Sequence, residues 1–223
     1  MTPPRSQIIG IALAVLVAAC GSASQQGGNL PPPAPSAEGR ATLDTATSNL
    51  VPPGYGTLRQ DEIAIRFSFP AMQVRVLPLD ESVIRLLAPD SYRALRDLHE
   101  GQRDAIAIMA QRHNLRRPSL WYVSYFGLEP EARFSPLEVV ITAGGRDFRP
   151  LELIPLTAGF GEQRLRQRET HSAIFVFDGA IDVSQPLTLT VDGGQNGSWG
   201  SMLRAIERER SRARSRAAAQ GKP

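Results

Sequence analysis

The 223-residue chain contains one cysteine, Cys20, and one lysine, Lys222. A single cysteine excludes an internal disulfide and every site built from a pair of cysteines. The sequence also lacks a Walker loop, a dinucleotide-binding fingerprint, an EF-hand loop and an HExxH pair. These absences remove the common nucleotide and metal motifs, so we predict neither a cofactor nor a metal.

An apolar run precedes the cysteine. Residues 8–19 have no charged or polar side chain and follow Arg5, which is the layout of a secretory signal peptide. Twelve helical residues extend about 18 Å, well short of the roughly 30 Å hydrocarbon core of a bilayer. We therefore predict that residues 1–19 are a leader and not a membrane span.

The residues Val17-Ala18-Ala19-Cys20 resemble the lipobox of bacterial lipoproteins. The resemblance implies that Cys20 takes a diacylglyceryl group on its sulfur and, after cleavage of the leader, anchors the mature chain through fatty acyl groups such as palmitate. Two or three acyl chains hold a protein on a membrane almost permanently. The alternative is ordinary secretion with cleavage at a neighbouring small residue.

Gly21 follows the cysteine where an aspartate would, by the family's sorting habit, favour the inner membrane. The resemblance therefore implies a cell-envelope protein. In an organism with two membranes, it implies the outer membrane, with the protein facing the periplasm or the surface.

Residues 20–54 are predicted to be a tether. The segment 21–50 is rich in glycine, serine, proline and alanine and has almost no large apolar side chain. Such a segment cannot bury enough surface to offset the entropy lost on ordering. We expect it to hold a folded domain at some distance from the lipid.

Residues 55–197 are predicted to form a mainly β domain. Apolar and polar residues alternate over 63–69 and again over 73–76, and further apolar runs start at Leu120 and Val139, as expected for half-buried strands. Gly144-Gly145 separates two of these runs as a hairpin turn. The segment SVIRLL, residues 82–87, is also interpreted as a strand. This pattern predicts an immunoglobulin-like antiparallel β-sandwich.

One helical insertion is predicted over residues 90–114. Leu95, Leu98, Ile106 and Met109 recur at helical spacing, so we expect either one long amphipathic helix, weakened at Gly101, or two short ones. Asn114 and Pro118 end this pattern.

Residues 121–191 carry a strand pair, a long polar loop, HSAIFVFD and PLTLTV. This arrangement resembles the immunoglobulin-like domains that follow lipobox leaders in many bacterial lipoproteins of uncharacterised role. The resemblance covers about a third of the chain. It rests on strand pattern, so it implies a fold and assigns no functional residue.

The C-terminal segment 198–223 is a basic helix or tail. It has seven basic and two acidic side chains, a net charge of +5 in a chain whose net charge is +3. Arg204, Arg208 and Arg212 are candidate contacts for an anionic ligand or an anionic lipid. The alternative is a solvated, frayed helix that ends in disorder and whose first turns carry a small apolar face for docking on the domain, formed by Met202, Leu203 and Ile206. Because the predicted location lies outside the cytoplasm, we expect no nucleic-acid partner.

A second arginine group alternates within QRLRQRE. If that segment is extended, Arg164, Arg166 and Arg168 project from one face and offer another contact for an anionic ligand or lipid. The alternative is a charged strand face near a sheet edge, which discourages aggregation.

The aromatic residues of LWYVSYFG concentrate bulk on both faces of one strand. We interpret Trp121, Tyr122, Tyr125 and Phe126 as core packing of a central strand and not as a binding platform.

Candidate catalytic groups are few. His99 and His113 lie fourteen residues apart without a ligand partner at helical spacing, so we expect them to face solvent. His171 is a candidate general base, but no GxSxG motif supplies a nucleophile. The acidic residues are explained as turn and cap residues: Asp61, Glu62, Asp80, Glu81, Glu129, Glu131, Asp178 and Asp182.

No catalytic residue is assigned, and we predict a non-enzymatic cell-envelope lipoprotein. Its β-sandwich domain would bind a protein or another envelope component. The alternative function is an envelope hydrolase that acts on glycan or ester bonds through His171 or a pair of carboxylates.

Overall fold

The computed structural model describes residues 50–220, so the predicted leader, Cys20 and most of the tether lie outside the described residues. The described part contains the following strands: β1 (Ile65–Ser68), β2 (Met72–Pro78), β3 (Ser119–Gly127), β4 (Ala132–Arg133), β5 (Val140–Ala143), β6 (Arg146–Phe148), β7 (Glu152–Pro155), β8 (Arg164–Leu165), β9 (Thr170–Phe177), β10 (Leu187–Val191) and β11 (Gly194–Asn196). Its α-helices are α1 (Glu81–Ile84), α2 (Pro89–Gly101), α3 (Arg103–Arg112) and α4 (Trp199–Gln220).

The strands form two main sheets. A five-stranded sheet has the order β1-β2-β3-β9-β7, and a four-stranded sheet has the order β11-β10-β5-β6. The pair β4-β8 stands apart from both. All of these strand pairings are antiparallel. The prediction of a mainly β protein with antiparallel sheets and a C-terminal helix is confirmed.

Both sheets contribute to one buried apolar cluster. On central strand β3, Trp121, Val123 and Tyr125 are fully buried. These residues share one face of the sheet, because alternate side chains of a strand point to the same side. This face of the five-stranded sheet is called the inner face below. Trp121 meets the Trp199 ring edge-on, with 6.2 Å between the ring centroids. The first residue of α4 is therefore part of the core.

The predicted hairpin between β5 and β6 is present. Gly144 and Gly145 connect the two strands with φ angles of 56° and 75°. Two successive positive φ angles favour glycine and match the twist of a tight hairpin.

Two helices occupy the segment predicted to be helical. α2 starts with Pro89, whose fixed φ suits the first helical position. Gln102 separates α2 from α3, one residue after the predicted weak point at Gly101. At the end of α3, Arg112 and His113 contact Glu152 of β7, at 2.6 and 3.1 Å. These contacts join the end of α3 to the outer face of the five-stranded sheet, opposite the inner face.

The strand prediction for residues 82–87 is wrong. Residues 81–84 form the short helix α1, in which Val83 and Ile84 are buried. The Asp80 carboxylate accepts a hydrogen bond from the Ser82 N–H at 2.8 Å, which caps this helix. A short apolar run has no period that separates a strand from a buried helical turn.

α4 extends over 22 residues. Ile206, Glu209 and Ala213 are buried at steps of three and four, so one face of the helix contacts the domain along most of its length. Burial of Ile206 agrees with the predicted docking face of the first turns, while the interpretation of this segment as a frayed helix is wrong for residues 199–220.

Candidate functional site

A groove lies between the outer face of the five-stranded sheet and α2. It has a volume of about 690 Å³. We call it the sheet–helix groove. Its polar and aromatic lining comes from Gln60, Asp61, Arg66, Ser68, Gln73, Arg75, Tyr122, Ser124, Phe126 and Thr170, and its helical wall from Ala94, Leu95 and Leu98.

Strand register brings these side chains together. Arg66 pairs with Arg75 across β1 and β2, and Arg75 pairs with Ser124 across β2 and β3. In the neighbouring row, Gln73 pairs with Phe126. Because alternate residues share a face, these two rows lie on the outer face. The groove is thus a direct product of the antiparallel pairing.

The charges in the sheet–helix groove are linked through Asp61. Its carboxylate lies 2.6 Å from a guanidinium nitrogen of Arg66 and 3.6 Å from one of Arg75. Arg75 also donates a hydrogen bond of 2.6 Å to the side-chain oxygen of Gln60. The hydrogen bond from Arg66 holds the pKa of the Asp61 carboxyl below its usual range, and the charge of Arg75 acts in the same direction. Two guanidinium groups therefore face one ionised carboxylate, which leaves a net positive charge.

An aromatic surface lies beside these charges. Phe126 is 37% exposed, and Tyr122 is half-buried. An exposed phenyl face, a guanidinium group and several hydroxyl and amide groups can together bind a ligand that has both an apolar surface and anionic or hydrogen-bonding groups. Asp61 is the only carboxylate among the described lining residues, and it is held by two arginines. This chemistry suits binding through charge and hydrogen bonds.

The aromatic prediction for β3 is half right. Trp121 and Tyr125 are core residues, as predicted, and β3 is the central strand of its sheet. Tyr122 and Phe126 instead line the sheet–helix groove. Sequence reasoning missed this groove, although the outward residues Arg66 and Arg75 carried a signal for it: both alternate with buried apolar residues.

His171 is buried and lies beside one acidic side chain, Glu169. Its Nε2 lies 3.2 Å from a Glu169 carboxylate oxygen, and its Nδ1 has no hydrogen-bond partner within the described chain. No hydroxyl is therefore hydrogen bonded to Nδ1. The backbone N–H of Arg166, at 2.7 Å, is the main reason why the pKa of Glu169 is lowered, and His171 adds to this effect. The contact between Glu169 and His171 joins the turn that precedes β9 to the strand itself.

The other two histidines lie outside any metal-binding cluster of the described residues. Within residues 50–220 there is no group of three or more histidine, cysteine, aspartate or glutamate side chains that could hold a metal ion. His113 does not simply face solvent, because it contacts Glu152 together with Arg112. The hydrogen bonds from His113 and Arg112 lower the pKa of Glu152. These three residues fix the end of α3.

Several acidic residues act as turn and cap residues, as predicted. Asp178 accepts a hydrogen bond from the Ala180 N–H at 2.8 Å, and Asp182 accepts one from the Ser184 N–H at 2.9 Å. Asp80 caps α1. Such contacts satisfy local backbone donors and need no catalytic explanation.

The arginines of QRLRQRE do not form a strand stripe. β8 ends at Leu165, and Arg168 has a φ of 64° in the following turn. Arg164 pairs with Glu131 at 2.9 Å, while Arg166 and Arg168 are exposed. The chain turns here because Gly127 lies against it: the Arg168 N–H donates to the Gly127 carbonyl at 2.8 Å, and a Cβ on Gly127 would be 2.3 Å from the Arg166 oxygen.

The basic residues proposed on the C-terminal segment are brought together. Arg204, Arg208 and Arg212 are exposed and follow one another at four-residue steps on α4, which places them along one side of the helix.

Comparison with protein-family models, with curated protein sequences and with solved structures gave no significant match to this chain. Among the described helices, none combines the length and the apolar character required to span a membrane.

Proposed function

We propose that this protein is a non-enzymatic cell-envelope lipoprotein whose domain binds a protein or another envelope component in the sheet–helix groove. Lipid on Cys20 would anchor it, to the outer membrane where the organism has two membranes. The observation that carries the binding role is the exposed Phe126 beside the Arg66–Asp61–Arg75 group, in a groove that α2 closes on one side.

The composition of the groove supports ligand binding. Binding sites are concave and combine an apolar surface with a few placed polar groups. Arg66 and Arg75 can orient a carboxylate or phosphate group, while Phe126 offers a flat apolar surface. A single ionised carboxylate held by two arginines does not provide the pair of acids with different protonation states that glycoside hydrolysis needs.

We further propose that the two sheets form an immunoglobulin-like sandwich. Two antiparallel sheets that share one apolar cluster support this relationship. In a sandwich the two sheets pack face to face about 10 Å apart. An experimental structure with that spacing and Greek-key connections would support the proposal, and two sheets packed at a right angle would contradict it.

The anchor is tested by metabolic labelling with palmitate. The wild-type protein should take up the label, and Cys20→Ala should lose it, because the substitution removes the sulfur to which the lipid is attached. Ser22→Ala, two residues away, is the matched control and should keep the label. A mass spectrum of the purified native protein with an unmodified Cys20 would contradict the proposal.

The binding role is tested by site-specific photo-crosslinking in intact envelopes. A photoreactive phenylalanine analogue at position 126 should give a discrete crosslinked species. The same analogue at Leu137, an apolar side chain that is 61% exposed outside the groove, should not give this species. Crosslinking of equal yield at both positions, or at neither, would contradict a ligand in the groove.

A second variant tests the role of the charges. Arg66→Gln, made in the protein with the analogue at position 126, should lower the crosslinking yield, since Arg66 borders the groove. Arg93→Gln is the matched control, because Arg93 is also exposed and pairs with one aspartate, Asp90. Exposed pairs of this kind contribute about 0–1 kcal/mol, so neither change should unfold the protein. Unchanged yield in Arg66→Gln would mean that the charged group does not bind the ligand.

A further inference from the structure

The C-terminal helix α4 is held in a fixed orientation. Glu209 is 4% exposed, and one of its carboxylate oxygens accepts hydrogen bonds from the N–H and the hydroxyl of Thr57, each at 2.9 Å. Arg216 pairs with the same oxygen, and its Nε donates to the Tyr55 carbonyl at 2.8 Å. Together with buried Ile206, these contacts determine which side of α4 faces solvent.

The solvent side of α4 carries an uncompensated positive charge. We call Arg204, Arg208 and Arg212 the arginine stripe. At 1.5 Å per residue, the stripe is about 12 Å long. The acidic residues of the helix are engaged elsewhere, since Glu207 pairs with Arg210 and Glu209 pairs with Arg216. No ion pair or hydrogen bond joins a side chain of the stripe to another described residue.

The N-terminal end of the domain contacts the same helix. Tyr55 and Thr57, which contact Arg216 and Glu209, lie directly after the predicted tether. Thirty residues separate Cys20 from Val51. An unstructured chain of that length has a root-mean-square span of about 30 Å. An anchor at Cys20 would therefore keep α4 close to the bilayer surface.

We propose that the arginine stripe of α4 binds the anionic headgroups of the bilayer that holds the acylated Cys20, and so orients the domain on that membrane. The proposal rests on the anchored location in the proposed function, but not on the ligand of the sheet–helix groove. The headgroup phosphates match the charge of the stripe, and lipid attachment raises the local concentration of membrane beside it. One anchor and one basic surface are the two signals that stable, oriented membrane attachment uses.

Vesicle binding tests the stripe without the anchor. The probe is the chain from Gly21 to Pro223, which retains all of the described residues, mixed with phosphatidylcholine vesicles that either contain or lack phosphatidylglycerol. We expect binding only to the vesicles with phosphatidylglycerol, and we expect added salt to weaken it because salt screens exposed charges. Each arginine near an anionic surface contributes about fivefold to the affinity, so the triple variant Arg204→Gln, Arg208→Gln, Arg212→Gln should lose about a hundredfold.

A matched variant distinguishes the effect of the arginine stripe on vesicle binding from the effect of the net charge of the protein. Arg116, Arg133 and Arg149 are also exposed and lie outside α4, so their replacement by glutamine changes the net charge by the same amount. This control should bind almost as tightly as the parent chain, and circular dichroism should show that both triple variants are folded. Equal losses in the two variants, equal binding to both kinds of vesicle, or no binding at low salt would overturn the proposal. Because this chain lacks the anchor, each of these results leaves the palmitate test of Cys20 unaffected.

Discussion

Two buried polar sites of this protein are built in opposite ways. On α4, the Glu209 carboxylate is out of contact with water but accepts hydrogen bonds from Thr57 and pairs with Arg216. In the core, the hydroxyl of Tyr125 has no hydrogen-bond partner among residues 50–220, and the same holds for one buried carboxylate oxygen of half-buried Asp192. Both sites remove polar groups from water, but only in the first does the buried carboxylate oxygen have several partners.

The two sites have different effects on the stability of the fold. A buried charge with several partners fixes one arrangement, because any other docking of the helix would leave the charge unpaired. The second site opposes folding slightly. Burial raises the pKa of the Tyr125 hydroxyl, and the charge of Asp192 adds to this effect. Burial also raises the pKa of the Asp192 carboxyl, with a further contribution from Glu138, while a hydrogen bond from the Ser135 backbone N–H acts in the opposite direction.

The largest effect is expected at Glu209. Glu209→Ala leaves the Thr57 N–H and hydroxyl and the Arg216 guanidinium without their shared partner, so the free energy of unfolding should fall by about 3 kcal/mol. Denaturant titration measures this change. Glu207→Ala is the control on the same helix, because its pair with Arg210 leaves Glu207 58% exposed. That change should stay within about 0.5 kcal/mol. Equal losses of unfolding free energy in Glu209→Ala and Glu207→Ala would contradict the role given to the buried Glu209 contacts.

A smaller effect of opposite sign is expected at Asp192. Asp192 has a φ of 44°, which asparagine tolerates at least as well as aspartate. Asp192→Asn should raise the free energy of unfolding by about 1 kcal/mol at neutral pH, because it removes a partly buried negative charge. A carboxyl whose folded pKa is raised favours the folded state less as the pH rises above its unfolded pKa. The advantage of the variant should therefore shrink as the pH is lowered through the raised pKa.

Denaturant titrations of both proteins at a series of pH values measure this trend. Asp182→Asn is the control, because Asp182 already accepts hydrogen bonds from the N–H and the hydroxyl of Ser184, at 2.9 and 2.7 Å. It should not become more stable at neutral pH. An advantage of Asp192→Asn that is independent of pH would mean that its charge is not the cause.

The smallest effect is expected at Tyr125. Tyr125→Phe removes a hydroxyl without a partner and keeps the ring, which stacks on Phe134 with 4.3 Å between the centroids. The free energy of unfolding should change by no more than about 0.5 kcal/mol, or rise slightly, because no hydrogen bond is lost. Thermal unfolding of the two proteins measures it. A loss of more than about 1.5 kcal/mol would show that the hydroxyl has a partner in the folded state.

Much of the secondary structure could be predicted because its signals are local. The alternation in β1 and β2, the glycine pair between β5 and β6 and the helical spacing of residues 90–114 each appear within a few turns or strand steps of sequence. Residues 82–87 lacked such a period, and their assignment failed. The alternation of arginines over residues 164–168 suggested a strand that is not formed. The turn at Arg168 depends on Gly127, about forty residues earlier in the chain.

The candidate site was less predictable than the fold. Arg66, Arg75 and Phe126 belong to three different strands, and only the pairing of β1, β2 and β3 places them on one face. Of the partners of Glu209, only Arg216 is near it in the sequence, seven residues along the same helix. The sequence does not indicate the contact with Thr57, which lies 152 residues away. The charge of the C-terminal segment was evident from composition, but the division between docked and exposed arginines was not.

The sequence by itself determined the strands with a clear period of two, the two central helices and the excess of positive charge at the C-terminal end, because each of these depends on neighbours in the chain. The tertiary structure alone decided that Arg66, Asp61 and Arg75 share a groove and that Glu209 lies buried against Thr57. Both results depend on strand pairing and helix docking between distant segments. This pairing and docking are favoured because the folded state must bury one apolar cluster and, at the same time, give its buried charges partners.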